Sequence, residues 1–359
     1  MKKTMIALAA LGAAAAAHAQ SGGSSVQIYG IVDAGITHIT NTGGDSRTGL
    51  DSGIASSSRL GFRGTEDLGG GWSAGFRLES AVDVAKGDVG RGGSFFNRES
   101  TLILTSPNMG LLKIGRQLDF LNEDGGVPDA APIILGGAAA GYAGFGRPFG
   151  IPGAPRVDVR YGGYQSNNTI KWMHKFGAIG VGYMYGFGTE NAQDRNHMQS
   201  AMVNYLNGPV SVGLAWAKDN YSGAPWARET IALKGMYVTG PWMLLANYAY
   251  GKDSESPARI KPLDVTVAYN VTPQWRIGGG FGYAKATNEQ GVKATLTQPY
   301  IGTKYFLSKR THVYAMATRN HTSDKSAVPA SLSTPGGAIW GVSSSDSMTA
   351  VRVGVSHRF

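Results

Sequence analysis

Trp275-Arg276-Ile277-Gly278-Gly279-Gly280-Phe281-Gly282-Tyr283 reads as one extended strand. Trp275, Ile277, Gly279, Phe281 and Tyr283 fall on one parity, and Arg276 and three glycines on the other. A period of two places neighbouring side chains on opposite faces, so one face is greasy and the other polar or bare. The glycines are no nucleotide-binding loop, because they alternate through a strand and no helix follows. The same alternation recurs from end to end. Val26, Ile28, Val32 and Ile36 interleave with Gln27, Tyr29, Asp33 and Thr37; Trp72, Ala74, Phe76 and Leu78 interleave with Ser73, Gly75, Arg77 and Glu79. Ile179 to Phe187 and Val351 to Phe359 repeat it.

The connections alternate as well, between short and long. Short turns at 66–71, 106–110, 175–178, 207–209, 239–241, 271–274 and 308–310 are separated by long links at 38–55, 83–94, 119–166, 189–199, 218–228, 251–261, 287–294 and 320–346. Together they join sixteen strands. Aromatic residues gather at segment ends, among them Trp72, Trp172, Trp216, Trp242, Trp275 and Phe359. A sheet in lipid must pair every backbone group internally and therefore must close. Bacterial barrels do so with an even strand number, short turns on one side, long loops on the other and two aromatic girdles. The expected fold is all-β, a sixteen-stranded antiparallel transmembrane β-barrel. A secreted β-sandwich would also alternate, but it would not repeat the short-long connections or set aromatics at strand ends.

Composition agrees. Glycine is 53 of 359 residues, about twice its usual share of roughly 7%. Charged residues are 16%, thin cover for a water-soluble surface, while a mean hydropathy of −0.14 does not describe a helical membrane protein. The chain has no cysteine, which excludes disulfide scaffolds, thiolate metal sites and cysteine nucleophiles. A net charge of +9 is spread without a basic block, so no nucleic-acid partner is expected. Residues 1–19 read as a signal peptide: Lys2 and Lys3, an apolar stretch, then Ala17-His18-Ala19 as a cleavage site. Residues 20–359 would then form one barrel domain.

Specific motifs sharpen this reading. Gln27-Ile28-Tyr29-Gly30-Ile31-Val32-Asp33-Ala34-Gly35 resembles the opening strand of Gram-negative general porins of the β-proteobacterial, neisserial-like type. Ser57-Ser58-Arg59-Leu60-Gly61-Phe62-Arg63-Gly64-Thr65-Glu66-Asp67-Leu68-Gly69-Gly70-Gly71 resembles that family's second strand and turn. Phe96-Asn97-Arg98, Ile114-Gly115-Arg116-Gln117, Tyr185-Gly186-Phe187-Gly188, Leu307-Ser308-Lys309-Arg310-Thr311 and the tail Val353 to Phe359 continue the match in order. The resemblance implies an outer-membrane homotrimer whose third outer loop, here 119–166, folds into the pore. It implies passive passage of ions and small hydrophilic solutes, and contact with outer-membrane lipids including lipopolysaccharide. Phe359 is similar to the terminal signal read by the outer-membrane assembly machinery. The link at 83–94 has the length such porins use to latch a neighbour. One departure stands out: Gln165 occupies a position where the family often has arginine.

If apolar residues face lipid, their neighbours face the lumen. Inward candidates are Arg59, Arg63, Arg77, Lys113, Lys171, Lys234, Arg276, Lys304 and Arg352, against Asp33, Glu79, Glu99 and Asp264. Cations outnumber acids, and charge focused in a narrow pore favours the opposite ion. A moderate anion preference is expected, and Arg59 and Lys304 are expected to face open water. Loop 119–166 answers with Asp119, Glu123 and Asp124 against Arg156 and Arg160. Parity sends Arg98 outward, whereas the resemblance places it at the constriction; Arg116 joins the pore set through its motif.

Other chemistries find little footing. His38, His174, His197, His312, His321 and His357 show no metal-ligand spacing, and no cofactor is expected. Asp119, Asn122, Glu123 and Asp124 could chelate calcium, but without a defined loop pattern. A barrel hydrolase needs a serine activated by an oriented imidazole, and no G-x-S-x-G segment occurs. The reading is therefore a non-enzymatic diffusion channel, with a substrate-selective anion channel of the same fold as the alternative.

Overall fold

Alternating chains pair edge to edge because each strand exposes unsatisfied N–H and C=O groups along both sides. The computed structural model describes residues 25–89, 94–121, 165–188, 197–220, 227–333 and 339–359, and in them the pairing runs full circle. The first strands are β1 Ser25–Thr42, β2 Asp45–Ser52, β3 Arg59–Gly69, β4 Trp72–Ala81, β5 Glu99–Ser106 and β6 Gly110–Leu118. Next come β7 Gln165–Phe176, β8 Ile179–Gly186, β9 Met198–Asn207, β10 Val210–Asn220, β11 Ala227–Thr239 and β12 Trp242–Asp253. The chain continues through β13 Arg259–Asn270, β14 Trp275–Thr287, β15 Lys293–Phe306, β16 Thr311–Thr322 and β19 Ser347–Arg358, with the short β17 Ser331–Ser333 and β18 Ile339–Val342 between the last two.

From β3 to β16 each strand pairs antiparallel with the next in sequence, and β16 pairs with β19. β19 then pairs with β1, Gly35 opposite Gly354 and Ile31 opposite Arg358, which closes the barrel. β2 and β3 occupy one wall position: β2 pairs with the upper half of β1 and β3 with its lower half. The small β17–β18 hairpin is a sheet of its own that packs on the wall, with Leu332 buried among Ile39, Tyr314 and Met348. The wall therefore has sixteen positions, as the connection pattern requires.

Two long links are shorter than the sequence implied. Within 38–55, β1 and β2 continue as a hairpin, and the link 287–294 shrinks to the five-residue turn 288–292 between β14 and β15. The reason is the same in both: neighbouring strands go on satisfying each other's backbone groups past the barrel rim.

The solvent arrangement is inverted relative to a soluble protein. Val26, Ile28, Ile301 and Val353 are more than 60% exposed on the outer face, while Asp33, Lys171, Lys304 and Arg352 are buried inside. Aromatic anchors hold the short-turn end. Trp172 Nε1 donates to the Met109 carbonyl at 2.7 Å, and Trp242 packs on Tyr269 with ring centroids 4.5 Å apart. The terminal residue is stitched in: Gly30 N donates to Phe359 O at 3.0 Å and Phe359 N to Gly30 O at 3.1 Å. A Cβ on Gly30 would collide with the Phe359 ring, so only glycine admits this lock.

Candidate pore constriction

The densest charge cluster lies on the inner face of β1 and β3–β6. Glu79 on β4 and Glu99 on β5 are register partners, so two carboxylates stand side by side. Like charges opposite one another destabilise a sheet unless they are compensated. Compensation is generous. Arg98 Nε donates to Glu79 Oε1 at 2.5 Å, Arg59 lies 3.7 Å from the same oxygen, and Tyr29 OH donates to Oε2 at 3.1 Å. Glu99 takes Lys113 at 2.8 Å, Arg77 at 3.6 Å and the Thr101 hydroxyl at 2.9 Å. Among the described residues, the cluster sets four cations against two carboxylates, two positive charges in excess. Gly61 permits the packing, because a Cβ there would collide with the Tyr29 ring.

Below this cluster Arg63 is exposed; its Nε donates to Gln27 Oε1 at 3.0 Å and its guanidinium sits 5.2 Å from the Tyr29 ring centroid. Arg98 turns inward although its parity points out. It precedes the first residue of β5, and its backbone N–H bonds to the Glu79 carbonyl at 3.0 Å, which lets the side chain swing over the neighbouring strand.

Arg116 is placed differently from the expectation of a pore charge. On β6 Lys113 and Gln117 are buried inside and Ile114 is exposed outside; Arg116 shares the parity of Ile114 and sits where the β6–β7 register shifts, between Gly115 and Gln117. Its guanidinium bonds to the Asn97 and Gln165 carbonyls at 2.8 and 3.2 Å and to Asn167 Oδ1 at 2.6 Å. It therefore clamps the second outer link to β7 at the rim.

Lys304 also differs. It is 1% exposed and stands in register with Arg276, so it is enclosed by its neighbours instead of facing open water. Arg59 is half-buried beside Glu79. The parity assignments were inward, but parity says nothing about what covers an inward side chain.

On the seam between first and last strands, Arg352 is fully buried. It donates to Tyr314 OH at 2.8 Å, Thr37 Oγ1 at 2.7 Å, and the carbonyls of Gly35 and Asp51 at 3.0 Å each, and lies 3.4 Å from Asp33 Oδ1. Asp33 Oδ1 also accepts from the Tyr314 hydroxyl and the Ile54 N–H. Tyr314 escaped the sequence reading, although it shares inward parity with His312 and Thr318 on β16. Asp264 is likewise inward, held by Tyr300 OH at 3.0 Å.

The start of the third outer link enters the barrel. After β6, Asp119 and Phe120 are buried, and Phe120 N donates to Ser200 Oγ on β9 at 3.3 Å. Lys171 Nζ on β7 donates to the Leu118 carbonyl at 2.5 Å and lies 4.7 Å from the Phe120 ring centroid. Lys234 Nζ, four strands further round on β11, donates to the Leu121 carbonyl at 3.0 Å. These three residues thus run along the inner wall from β6 toward β11. Glu123, Asp124, Arg156 and Arg160 lie outside the described residues, as does residues 1–19.

A closed antiparallel barrel with an apolar exterior and a charge-lined interior defines a channel-forming barrel of the Gram-negative outer membrane. The profile of the Gram-negative porin family matches residues 6–325, and the chain belongs to that family. It is 32% identical over 380 aligned positions to outer membrane porin protein 32 of Delftia acidovorans, covering all of both chains. Among solved structures it is similar to an anion-selective porin from Comamonas acidovorans, with a TM-score of 0.78, 27% identity, and 94% of this chain and 100% of that one covered. The trimer form of OmpT from Vibrio cholerae shares the fold at a TM-score of 0.70 and 16% identity, over 94% and 100% of the two chains. The protein is an outer-membrane porin, a channel through a sixteen-stranded barrel.

Proposed function

We propose that this porin is a passive, general diffusion channel with a moderate preference for anions, set by the charge cluster around Glu79 and Glu99. The observation that carries the reading is the surplus of two positive charges among Arg59, Arg77, Arg98, Lys113 and the two carboxylates. At ~8 Å in a water-like dielectric, such a surplus lowers the energy of a monovalent anion by about 1 kcal/mol and raises that of a cation equally. With a Debye length of about 10 Å at 0.1 M salt, roughly half of that difference survives, a factor of about five in preference. The solved anion-selective relative supports the direction.

Arg63, exposed in the lumen, extends the positive wall toward the short-turn side. The acidic residues Asp119, Glu123 and Asp124 of the third link, offset in part by its Arg156 and Arg160, keep the preference moderate. The working unit is a homotrimer in contact with lipopolysaccharide and other outer-membrane lipids. Export uses residues 1–19 as a signal peptide, and the assembly machinery reads the terminal Phe359.

Single-channel recording across a potassium chloride gradient tests the reading. The expected zero-current potential has the sign of chloride preference, with conductance rising linearly with salt. A potassium preference at low salt would overturn the anion bias. Conductance that saturates with one anionic solute, and is blocked by it, would favour a substrate-selective channel instead.

A further inference from the structure

Arg98 breaks the parity of β5, and the break has a visible cause. The register that sets Glu79 opposite Glu99 would continue with Ser80 opposite Arg98 and Ala81 opposite Asn97. The Arg98 N–H instead bonds the Glu79 carbonyl at 3.0 Å, a slip of one residue. Such a slip exchanges the two faces of a strand, which carries the Arg98 side chain over to Glu79 in the lumen. Asn97 ends the ladder: its side-chain Oδ1, not its carbonyl, accepts from the Ala81 N–H at 2.9 Å. The carbonyl is left for Arg116 on β6, whose Nε donates to it at 2.8 Å.

The Asn97 carbonyl and the Arg98 N–H belong to one planar peptide unit. Glu79 holds that plane at its N–H and Arg116 at its carbonyl, so the two contacts together set the direction in which Arg98 leaves the backbone. Arg116 is itself fixed. Between the pairs Gly115–Thr169 and Gln117–Ser166 it faces both Asn167 and Asn168, a bulge of one extra residue on β7. Asn168 takes a φ of 54°, a left-handed conformation that asparagine tolerates. Bulges re-aim side chains, and here Asn167 Oδ1 accepts from the guanidinium at 2.6 Å while the Gln165 carbonyl accepts at 3.2 Å. The three acceptors are neutral oxygens, so the demand on Arg116 is one of geometry, which a planar guanidinium fork meets and a compact ammonium does not.

We propose that Arg116 is a positioning residue for ion selectivity: from the outer parity of β6 it aims Arg98 at Glu79 by holding the Asn97–Arg98 peptide. Once that hold is removed, the peptide is free to rotate and Arg98 returns to the face that the parity of β5 dictates. The charge cluster then loses one of its four lumen cations although no lumen residue has been changed. The inference rests on the anion preference proposed above and assigns a share of it to a residue outside the cluster.

The test compares zero-current potentials of the full-length channel in a potassium chloride gradient for wild type, R116M, R116K, R98M and R98M/R116M. R116M and R116K should both move the potential toward potassium by at least half the R98M shift, and R98M/R116M should move it no further than R98M alone. Wild-type selectivity in R116K beside a shifted R116M would show that Arg116 acts through its charge and overturn the inference. An added shift in the double variant, or a folded R116M with no shift, would overturn it as well. Heat-dependent gel mobility shows that each barrel is folded, and R116K carries the test should R116M fail to fold. A second readout follows the direction of residue 98 itself. The chain has no cysteine, so R98C places a single thiol there. A charged, water-soluble methanethiosulfonate should modify it and lower the conductance, and R98C/R116M should react at least tenfold more slowly. Equal rates would overturn the inference whatever the sign of the wild-type potential. A potassium preference in the wild type, with the difference in rates intact, would overturn the anion reading and leave the clamp standing.

Discussion

Glu79 and Glu99 are opposed on neighbouring strands, with their Cα atoms in register on the lumen face. Each carboxylate is held by two cations and a hydroxyl, Arg59, Arg98 and Tyr29 for the first and Arg77, Lys113 and Thr101 for the second. The acids hold the surrounding cations in place, and the cations supply the field. This division of labour leads to distinct expectations for each residue.

Glu79→Gln removes one negative charge and leaves Arg98, itself buried, without its carboxylate. The cluster's surplus rises by one, so the zero-current potential should shift further toward chloride. Breaking a buried pair costs about 3 kcal/mol. The unfolding midpoint in urea should fall, while Glu99→Gln should reproduce the selectivity shift through Lys113.

Arg63→Glu should move selectivity toward cations with little loss of stability, because the residue is exposed and its one side-chain hydrogen bond goes to Gln27. The shift should be large at 0.05 M salt and fade toward 1 M, where the Debye length is about 3 Å. A shift independent of salt would place the effect outside electrostatics. Lys304→Glu, by contrast, puts a carboxylate in an enclosed position, and its folding yield should drop.

Arg352→Met leaves Asp33 buried beside Tyr314 without its guanidinium and strips three wall positions of their shared donor. A loss of about 3 to 5 kcal/mol is expected, read as a lower unfolding midpoint or refolding yield. Adding Asp33→Asn should restore part of it. Additive losses in the double variant would show that the pair does not act as a unit.

Lys234→Met removes the donor that holds the Leu121 carbonyl on β11. The stem of the third link should loosen, and single-channel conductance should become noisier and larger. Unchanged conductance in a folded variant would mean that Ser200 and Lys171 hold the stem without it.

Homotrimer formation should appear as a slow-migrating band on unheated gels and as a threefold mass by mass photometry. Monomer alone, in a detergent that preserves the barrel, would count against it.

Much of this architecture is written in local pattern. The period of two in Trp275 to Tyr283, the short-long spacing of turns and the inward parity of Asp33, Glu79, Lys171 and Arg352 were all legible, because each depends on neighbours one or two residues away. The alternating short and long connections carried the strand count, and the family motifs the class of channel. What the sequence left undecided were relationships between strands. Arg98 turns inward because Glu79, 19 residues earlier, sits in reach across a strand boundary. Arg116 stays on the outer parity because Asn97, Gln165 and Asn167 converge on it at the rim. Lys304 is enclosed only because registers of separate hairpins align. Parity chooses the face of a side chain; the closed barrel, through register set by long-range pairing, chooses its partners.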